Sequence, residues 1–329
     1  MLRGWAIVWV VAYHLMGNTR GYLVWDEAIA TLSKGGTKNI VETGLEILIS
    51  AGAAGVNVFL VISGFGLTAS WWKRYGSQGI EKIPLAEFWR KRVFRIFPSF
   101  WVAMALSVLL YFLNSSWAPF GQTIWQQELW SPVFALLATI STLRNFIPDY
   151  YYFLNGAWWY VGLCLQLYLI FPYLVRLGCR WGWAKLLTAS LLFSLAYRAV
   201  FLLSPVDDAW RLIALAFFPA RLFEFVFGTY LAMMFLQPGS PATQRIPLNF
   251  WLNNLLFKPQ FLPVNFCLFS IGLCLKWSAY PALNIFAEAF IAVGLFCGLI
   301  SLSRVHLTFA VSKSTQGLFG VASAMLKIL

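Results

Sequence analysis

Six ionisable residues interrupt long apolar runs of this chain and mark where chemistry can occur: Arg3, His14, Arg198, Arg221, Glu224 and Glu288. Placing such a group in the middle of a membrane helix costs roughly 2.5–3.5 kcal/mol, so each is a functional candidate. Arg3 and His14 are eleven residues apart. Three helical turns nearly match that spacing, which puts both on one stripe, about 16 Å apart along the axis. They cannot touch, but the stripe suits an elongated ligand. Arg3 would hold a phosphate or carbonyl at one end, and His14 would act on a proton at the other. A hydrogen bond from His14 to a neighbouring helix is the plainer alternative. The remaining histidine is His306.

Three other stretches carry polar residues in suggestive places. The first reads Ala54-Gly55-Val56-Asn57-Val58-Phe59-Leu60-Val61-Ile62-Ser63-Gly64-Phe65-Gly66. Its small residues allow close helix packing or local unwinding around a cavity, with Asn57 and Ser63 as its polar groups. The second is Phe88-Trp89-Arg90-Lys91-Arg92-Val93-Phe94-Arg95-Ile96-Phe97-Pro98. Arg92 and Arg95 share a helical face there, and such a face binds phosphates as readily as it anchors a helix to lipid. In the third, Arg221 and Glu224 stand at i, i+3 and can pair, as a structural ion pair or as a cavity lining. Arg198 lies near a helix end and is expected to snorkel. Tyrosines and tryptophans at 150–160 read as an interfacial belt, with a carbohydrate platform as a secondary reading. The five cysteines form no C-x-x-C or Cys/His cluster, so neither a metal site nor a disulfide framework is expected. Walker, G-x-S-x-G, H-E-x-x-H and dinucleotide signatures are absent from the sequence.

The elements that must position these residues follow from composition. Hydrophobic residues make up 60% of the 329 and charged residues 11%. A soluble surface needs about 25% charged residues, so lipid must be the solvent for much of this one. Apolar runs of spanning length predict helices over 3–17, 44–71, 96–113, 157–177, 184–203, 212–236, 261–276 and 281–303. A run over 129–147 is broken by polar residues and is expected to be re-entrant. The fold class is therefore all-α, a polytopic bundle of about eight to ten transmembrane helices. Lys73, Arg74, Lys82, Arg90, Lys91, Arg92 and Arg95 crowd one loop, which predicts that this loop and the N-terminus are cytoplasmic. Arg176, Arg180 and Lys185 then fall on the same side, and Asp207 and Asp208 on the other. The net charge of +12 is thus a topology signal first, with membrane lipids as partners. No nucleic-acid module is present to make it a footprint for DNA or RNA. The proline-bearing stretch 237–260 reads as a linker.

Taken together, the motifs resemble the acyltransferase-3 family of membrane O-acyltransferases. Arg3-Gly4 with His14 is similar to that family's R-x10-H motif. Gly55-Val56-Asn57-Val58-Phe59 through Ser63-Gly64-Phe65 resembles its G-V-D-x-F-F-x-x-S-G-F segment. Arg92-Val93-Phe94-Arg95-Ile96 with Pro98 and Trp101 resembles its R-x-x-R-I-x-P segment. Trp159 through Gln166, Tyr168 and Pro172 resembles a later W-S-L segment, and Arg221-Leu222-Phe223-Glu224-Phe225 with Gly228 its R-x-x-E-F-x-x-G helix. The resemblance implies a bacterial inner-membrane enzyme. It would take an acyl group, acetyl above all, from cytoplasmic acyl-CoA and pass it to a hydroxyl of a surface or secreted glycan. It implies His14 as catalytic base or acyl relay with Arg3 as its partner. Arg92 and Arg95 would face the acyl-CoA, with Asn57, Ser63, Arg221 and Glu224 in the substrate-binding set. No resident cofactor is implied; acyl-CoA is a substrate, and a glycan or lipid-linked sugar is the acceptor.

The chain departs from that pattern at two places. Asn57 stands where many members carry Asp, so no carboxylate is available at that position. Cys164 and Leu165 stand where many carry Glu-Glu. Residues 1–329 are expected to form a single membrane domain, incomplete at both ends, because the acidic lead-in before Arg3 and a last helix are missing. A non-enzymatic exporter lined by the same Arg and Glu residues, or a truncated inactive member, are the rival expectations.

Overall fold

A computed structural model describes residues 2–23, 25–75, 84–114, 122–125, 130–236 and 257–311, with the backbone alone at 2–3, 25–26, 122–123 and 303–311. The described residues are helical and include no strand. In chain order the helices are α1 (Leu2–Arg20), α2 (Trp25–Ser33), α3 (Thr37–Ser50), α4 (Gly55–Tyr75), α5 (Leu85–Leu113), α6 (Gln122–Trp125), α7 (Trp130–Ile140), α8 (Trp159–Trp181), α9 (Trp183–Leu203), α10 (Asp208–Ala216), α11 (Leu222–Leu236), α12 (Leu262–Lys276) and α13 (Pro281–Val311). Seven helical segments among the described residues are long and apolar enough to cross a membrane: Thr37–Tyr75, Leu85–Leu113, Gly156–Trp181, Trp183–Leu203, Phe218–Leu236, Pro259–Lys276 and Pro281–Leu302. The protein is a polytopic α-helical membrane protein.

The expected span 3–17 lies in α1, which is not among the seven; elsewhere the helices depart from the expected spans where prolines and small residues intervene. The expected run 212–236 is two helices, because Pro219 cannot donate a backbone bond and Phe217 before the turn is extended at ψ 152°. A 3-10 turn, Phe218–Arg221, joins them. The expected span 44–71 belongs to a longer helical segment that tightens to 3-10 geometry at Ala51–Ala54. Of the run 129–147, α7 covers 11 residues, which at 1.5 Å per residue is about 16 Å and falls short of the ~30 Å hydrocarbon core. The basic run at 90–95 lies inside α5, which begins at Leu85 rather than near 96. Most of the linker 237–260 and the tail 318–329 lie outside the described residues.

Two compact units make up the chain, one of Met1–Ser70 with Glu224–Leu329 and one of Trp71–Phe223. In the first, α11 is the core: its residues from Glu224 to Met234 are all buried. A helix apolar on every face belongs inside. Gly64 of α4 and Gly228 of α11 make their backbones meet. A Cβ on Gly64 would lie 2.0 Å from the Phe225 carbonyl oxygen, and one on Gly228 would lie 1.9 Å from that of Val61. The same device joins α12 to α13, where a Cβ on Gly272 would lie 2.7 Å from the Ile291 nitrogen and one on Gly294 2.4 Å from the Phe269 nitrogen. It also seats α1, since Gly52 admits the Trp9 carbonyl and Gly55 the Val10 side chain. The Trp9 indole then donates to the Leu48 carbonyl at 2.8 Å. The opposite face of α1, with Trp5, Val8, Val11 and Leu15, is exposed, as a lipid-facing stripe must be.

The second unit is organised by a buried arginine. Arg144, 1% exposed, donates to the carbonyls of Phe153 at 2.8 Å and Asn155 at 3.0 Å and to that of Tyr151. Its guanidinium lies 5.9 Å from the Trp158 ring centre. Burial pulls its pKa down to about 10, which still leaves it charged at neutral pH. These bonds offset the cost of two left-handed non-glycine residues, Thr142 (φ 62°) and Leu154 (φ 63°). The aromatic run at 150–160 therefore folds around an inward arm: Tyr151 and Phe153 are buried while Tyr152 is exposed. Nearby, Asn145 donates to the Trp159 carbonyl at 2.7 Å in space that Gly162 leaves open.

Replacing Gly228 by leucine is expected to cost at least the upper end of the about 1–3 kcal/mol typical of overpacking, because the obstacle is backbone. Gly44→Ala, at a helical glycine with open space around it, is expected to be neutral or slightly stabilising. Thermal unfolding of the detergent-solubilised proteins checks both; equal midpoints for the two variants contradict the close-contact account.

Candidate functional site

The first unit holds His14, Asn57, Ser63 and Glu288. His14 is half-buried in α1, with its ring edge-on to Tyr13 at 5.0 Å. Tyr13 in turn meets Tyr22 at 5.1 Å. Helix α1 is continuous from Leu2 to Arg20, so Arg3 and His14 do share one helix; the side chain of Arg3 lies outside the described residues. The glycine contacts fix the register of α1 against the turn before α4. Gly52 meets Trp9 and Tyr13, and Gly55 meets Ala6 and Val10, so the two segments run antiparallel. Asn57 lies beyond Gly55, level with Ala6 or earlier, which places it about 12 Å along the axis from His14. It belongs to the Arg3 end of that helix.

Asn57 is 1% exposed and has a partner that its own helix does not supply. Its amide donates to Glu288 Oε2 of α13 at 2.8 Å and more weakly to the Glu288 backbone carbonyl at 3.3 Å. Lys276, the last residue of α12, stands 3.1 Å from Glu288 Oε1. The Glu288 carboxylate is thus held from two other helices. Lys276 is not among the sequence candidates; its one signal is a lysine closing an apolar run. Ser63 is half-buried beside the Gly64 contact. Glu224, 1% exposed, begins the part of α11 that lies in this unit.

The second unit holds Arg92, Arg95 and Arg221. Pro84 precedes α5, and its first turns carry the basic residues. Glu87 is paired with Lys91 and lies 3.9 Å from Arg74. Arg92 points elsewhere. It is half-buried, with its guanidinium 5.4 Å from the Phe88 ring centre and 6.0 Å from that of Tyr168. Phe88 stacks on Phe171 of α8 at 5.6 Å, which fixes this aromatic slot. Arg92 Nε is buried and has no hydrogen-bond partner among the described residues. Arg95 is exposed. A guanidinium set beside two rings, with its Nε unpartnered among the described residues, suits phosphate or carboxylate oxygens. Tyr168 belongs to one of the motifs quoted above, but its place beside Arg92 comes from the α5–α8 packing.

Arg221 is set by groups that flank the 3-10 turn. Gln166 Oε1 of α8 accepts from the Phe218 backbone N–H at 3.0 Å. The Ser194 hydroxyl of α9 donates to the Pro219 carbonyl at 2.8 Å and accepts from the Phe223 N–H at 3.2 Å. Arg221 is 8% exposed at the end of this turn. Arg198 does not snorkel: it is 5% exposed. It stands one turn beyond Ser194, and Ser190 one turn before, so the buried face of α9 carries Ser190, Ser194 and Arg198 as a stripe.

The family model described as an acyltransferase domain, that of the acyltransferase-3 family, matches residues 1–322. No curated protein and no solved structure matches the chain.

Ser194→Ala removes a group that satisfies two buried backbone partners at once. A loss of about 1–3 kcal/mol is expected, read as a lower thermal midpoint of the purified protein. An unchanged midpoint contradicts the role of Ser194 in holding the Phe218–Arg221 turn.

Proposed function

The chain belongs to the acyltransferase-3 family and is a membrane acyltransferase, and on that footing we propose that it moves an acyl group, acetyl above all, from cytoplasmic acyl-CoA to a hydroxyl of a cell-surface or secreted glycan. Residues 1–329 belong to a single acyltransferase-3-like membrane domain in the inner membrane of a bacterium. The observation that supports the donor is the Arg92 slot. A guanidinium beside Phe88 and Tyr168, with the exposed Arg95 one turn away, offers what the phosphates of acyl-CoA need.

Charge placement supports a cytoplasmic position for that slot. Lys73, Arg74, Arg90, Lys91, Arg92 and Arg95 all lie between the last turn of α4 and the early turns of α5. With α5 crossing and α7 too short to cross, α8 returns to the same side, where Arg176, Arg180 and Lys185 sit. Asp207 and Asp208, after α9, then lie on the far side. This is the arrangement that the positive-inside rule favours, with a cytoplasmic N-terminus.

The chemistry assigned to His14 is general acid–base catalysis. A neutral imidazole takes the proton of the acceptor hydroxyl as its oxygen attacks the thioester carbonyl. The carbon–sulfur bond then breaks, and the imidazolium returns the proton to the departing thiolate. The products are the glycan ester and free CoA. Arg3 is the partner of His14 on the same helix, and Asn57, Ser63, Arg221 and Glu224 belong to the substrate-binding set.

Membranes carrying the wild-type protein, given labelled acetyl-CoA and the acceptor glycan, are expected to label the glycan. His14→Ala is expected to lower that rate by about 10²–10⁴-fold with unchanged protein level. Equal labelling by both overturns the role of His14, and a wild type that labels no glycan from any acyl-CoA overturns the donor. Arg92→Ala is expected to raise KM for acetyl-CoA about tenfold or more, with a smaller effect on kcat. An unchanged KM removes Arg92 from the donor site.

A further inference from the structure

Glu288 lies about two turns into α13, and it is 4% exposed. Three helices converge on its carboxylate. Asn57 of α4 donates to Oε2 at 2.8 Å, and Lys276 of α12 stands 3.1 Å from Oε1. The glycine contacts one turn away make this possible: Gly272 brings α12 onto the backbone of Ile291, and Lys276 follows Gly272 by one turn. The Lys276 side chain is 27% exposed and that of Glu288 6%, so the lysine is the more open of the two.

Asn57 is tied down on one side only. Its amino group points at Glu288, while its oxygen is buried and accepts no hydrogen bond among the described residues. A carboxylate at position 57 would present oxygens in the same two places. It would also put a second negative group within hydrogen-bond distance of Glu288. Two carboxylates so close cannot both stay ionised. Asparagine removes the conflict and contributes a donor instead.

We propose that Asn57, Glu288 and Lys276 form a site for a single negative charge, and that Glu288, rather than residue 57, supplies it in this chain. Glu288 is a positioning residue. It holds the Asn57–Ser63 stretch of α4 against the α12–α13 hairpin, and the charge is interchangeable between positions 57 and 288. Its effect on acyl transfer rests on the function proposed above; the one-charge rule does not.

Four purified proteins test this: wild type, Glu288→Gln, Asn57→Asp, and the double variant Asn57→Asp/Glu288→Gln. Each single variant is expected to lower the thermal midpoint by about 5 °C or more, the first by removing the carboxylate that Lys276 faces and the second by crowding two carboxylates. The double variant keeps one carboxylate and one carboxamide with their positions exchanged, and the carboxamide on α13 can donate to the carboxylate on α4. Its midpoint is expected within about 2 °C of wild type. Acyl transfer per folded protein is expected to fall about tenfold or more in each single variant and to recover to within about threefold in the double.

An Asn57→Asp variant with wild-type midpoint and activity overturns the one-charge site. So does a double variant no better than the worse single. If Glu288→Gln does not accumulate, accumulation of the double variant is itself the rescue. A recovered midpoint without recovered transfer, where wild type is active, overturns the positioning role. If wild type transfers no acyl group while the midpoints follow the exchange pattern, the charge site stands and the function proposed above falls.

Discussion

Gly64 and Gly228 let the backbones of α4 and α11 touch, and much of the first unit follows from that contact. In lipid, apolar side chains gain little by leaving their solvent, so helices associate through close van der Waals fit instead. A fit in which each glycine faces the other helix's carbonyl has one register. It puts Phe65 of α4 beside Phe235 of α11, and Phe227 on the far side of α11 against Phe296 of α13. The glycines of α12 and α13, and Gly52 and Gly55 before α4, extend the same rule outward. Side chains that carry chemistry are then placed by backbone contact, which is stiffer than side-chain packing. Asn57 meets Glu288 because α4 and the hairpin are both held this way.

The second constraint is the cost of burying polar groups away from water. Partners from other segments of chain offset that cost. Arg144 satisfies three carbonyls of a loop that no regular helix could satisfy. Ser194 serves the carbonyl of Pro219 in the irregular turn before α11 and the N–H of Phe223 in the first turn of α11. Glu288 takes an amide from one helix and an ammonium from another. These bonds cluster where helices break: at the 3-10 turns, around Pro219 and at helix ends. Irregular backbone inside a membrane protein survives only where such partners exist; Arg221 stands at such a break, while His14, Arg92 and Glu288 lie within α-helices.

Several candidates are visible in sequence because they are rare. His14, Arg221, Glu224 and Glu288 each stand out in an apolar run, and rarity needs no structure to detect. Their partners are not visible. Lys276 reads as an ordinary helix-end lysine, and Arg144 as a polar interruption. Nothing in the sequence sets Tyr168 beside Arg92, and the four-residue spacing of Ser190, Ser194 and Arg198 does not say which face of α9 is buried. Arg198 defeats the snorkelling expectation, because distance to a helix end does not say which face is buried. That face of α9 is decided by Ser194 and the turn it supports. The split of 212–236 is hidden for a similar reason: hydropathy averages over Pro219, and the extended residue before it ends one helix and starts another.

The amino-acid sequence alone determined that this chain is an α-helical membrane protein, which stretches hold its long apolar helices, and which family it resembles. Those properties are local: hydropathy, charge beside a span and short motifs are each written in consecutive residues. Tertiary structure decided which polar residues meet. Asn57 and Glu288 are separated by 231 positions, yet the amide of one reaches the carboxylate and the backbone carbonyl of the other, and no spacing along the chain encodes that. The deciding quantity is helix register, and here it is set by glycines whose missing side chains matter only once another backbone fills the space.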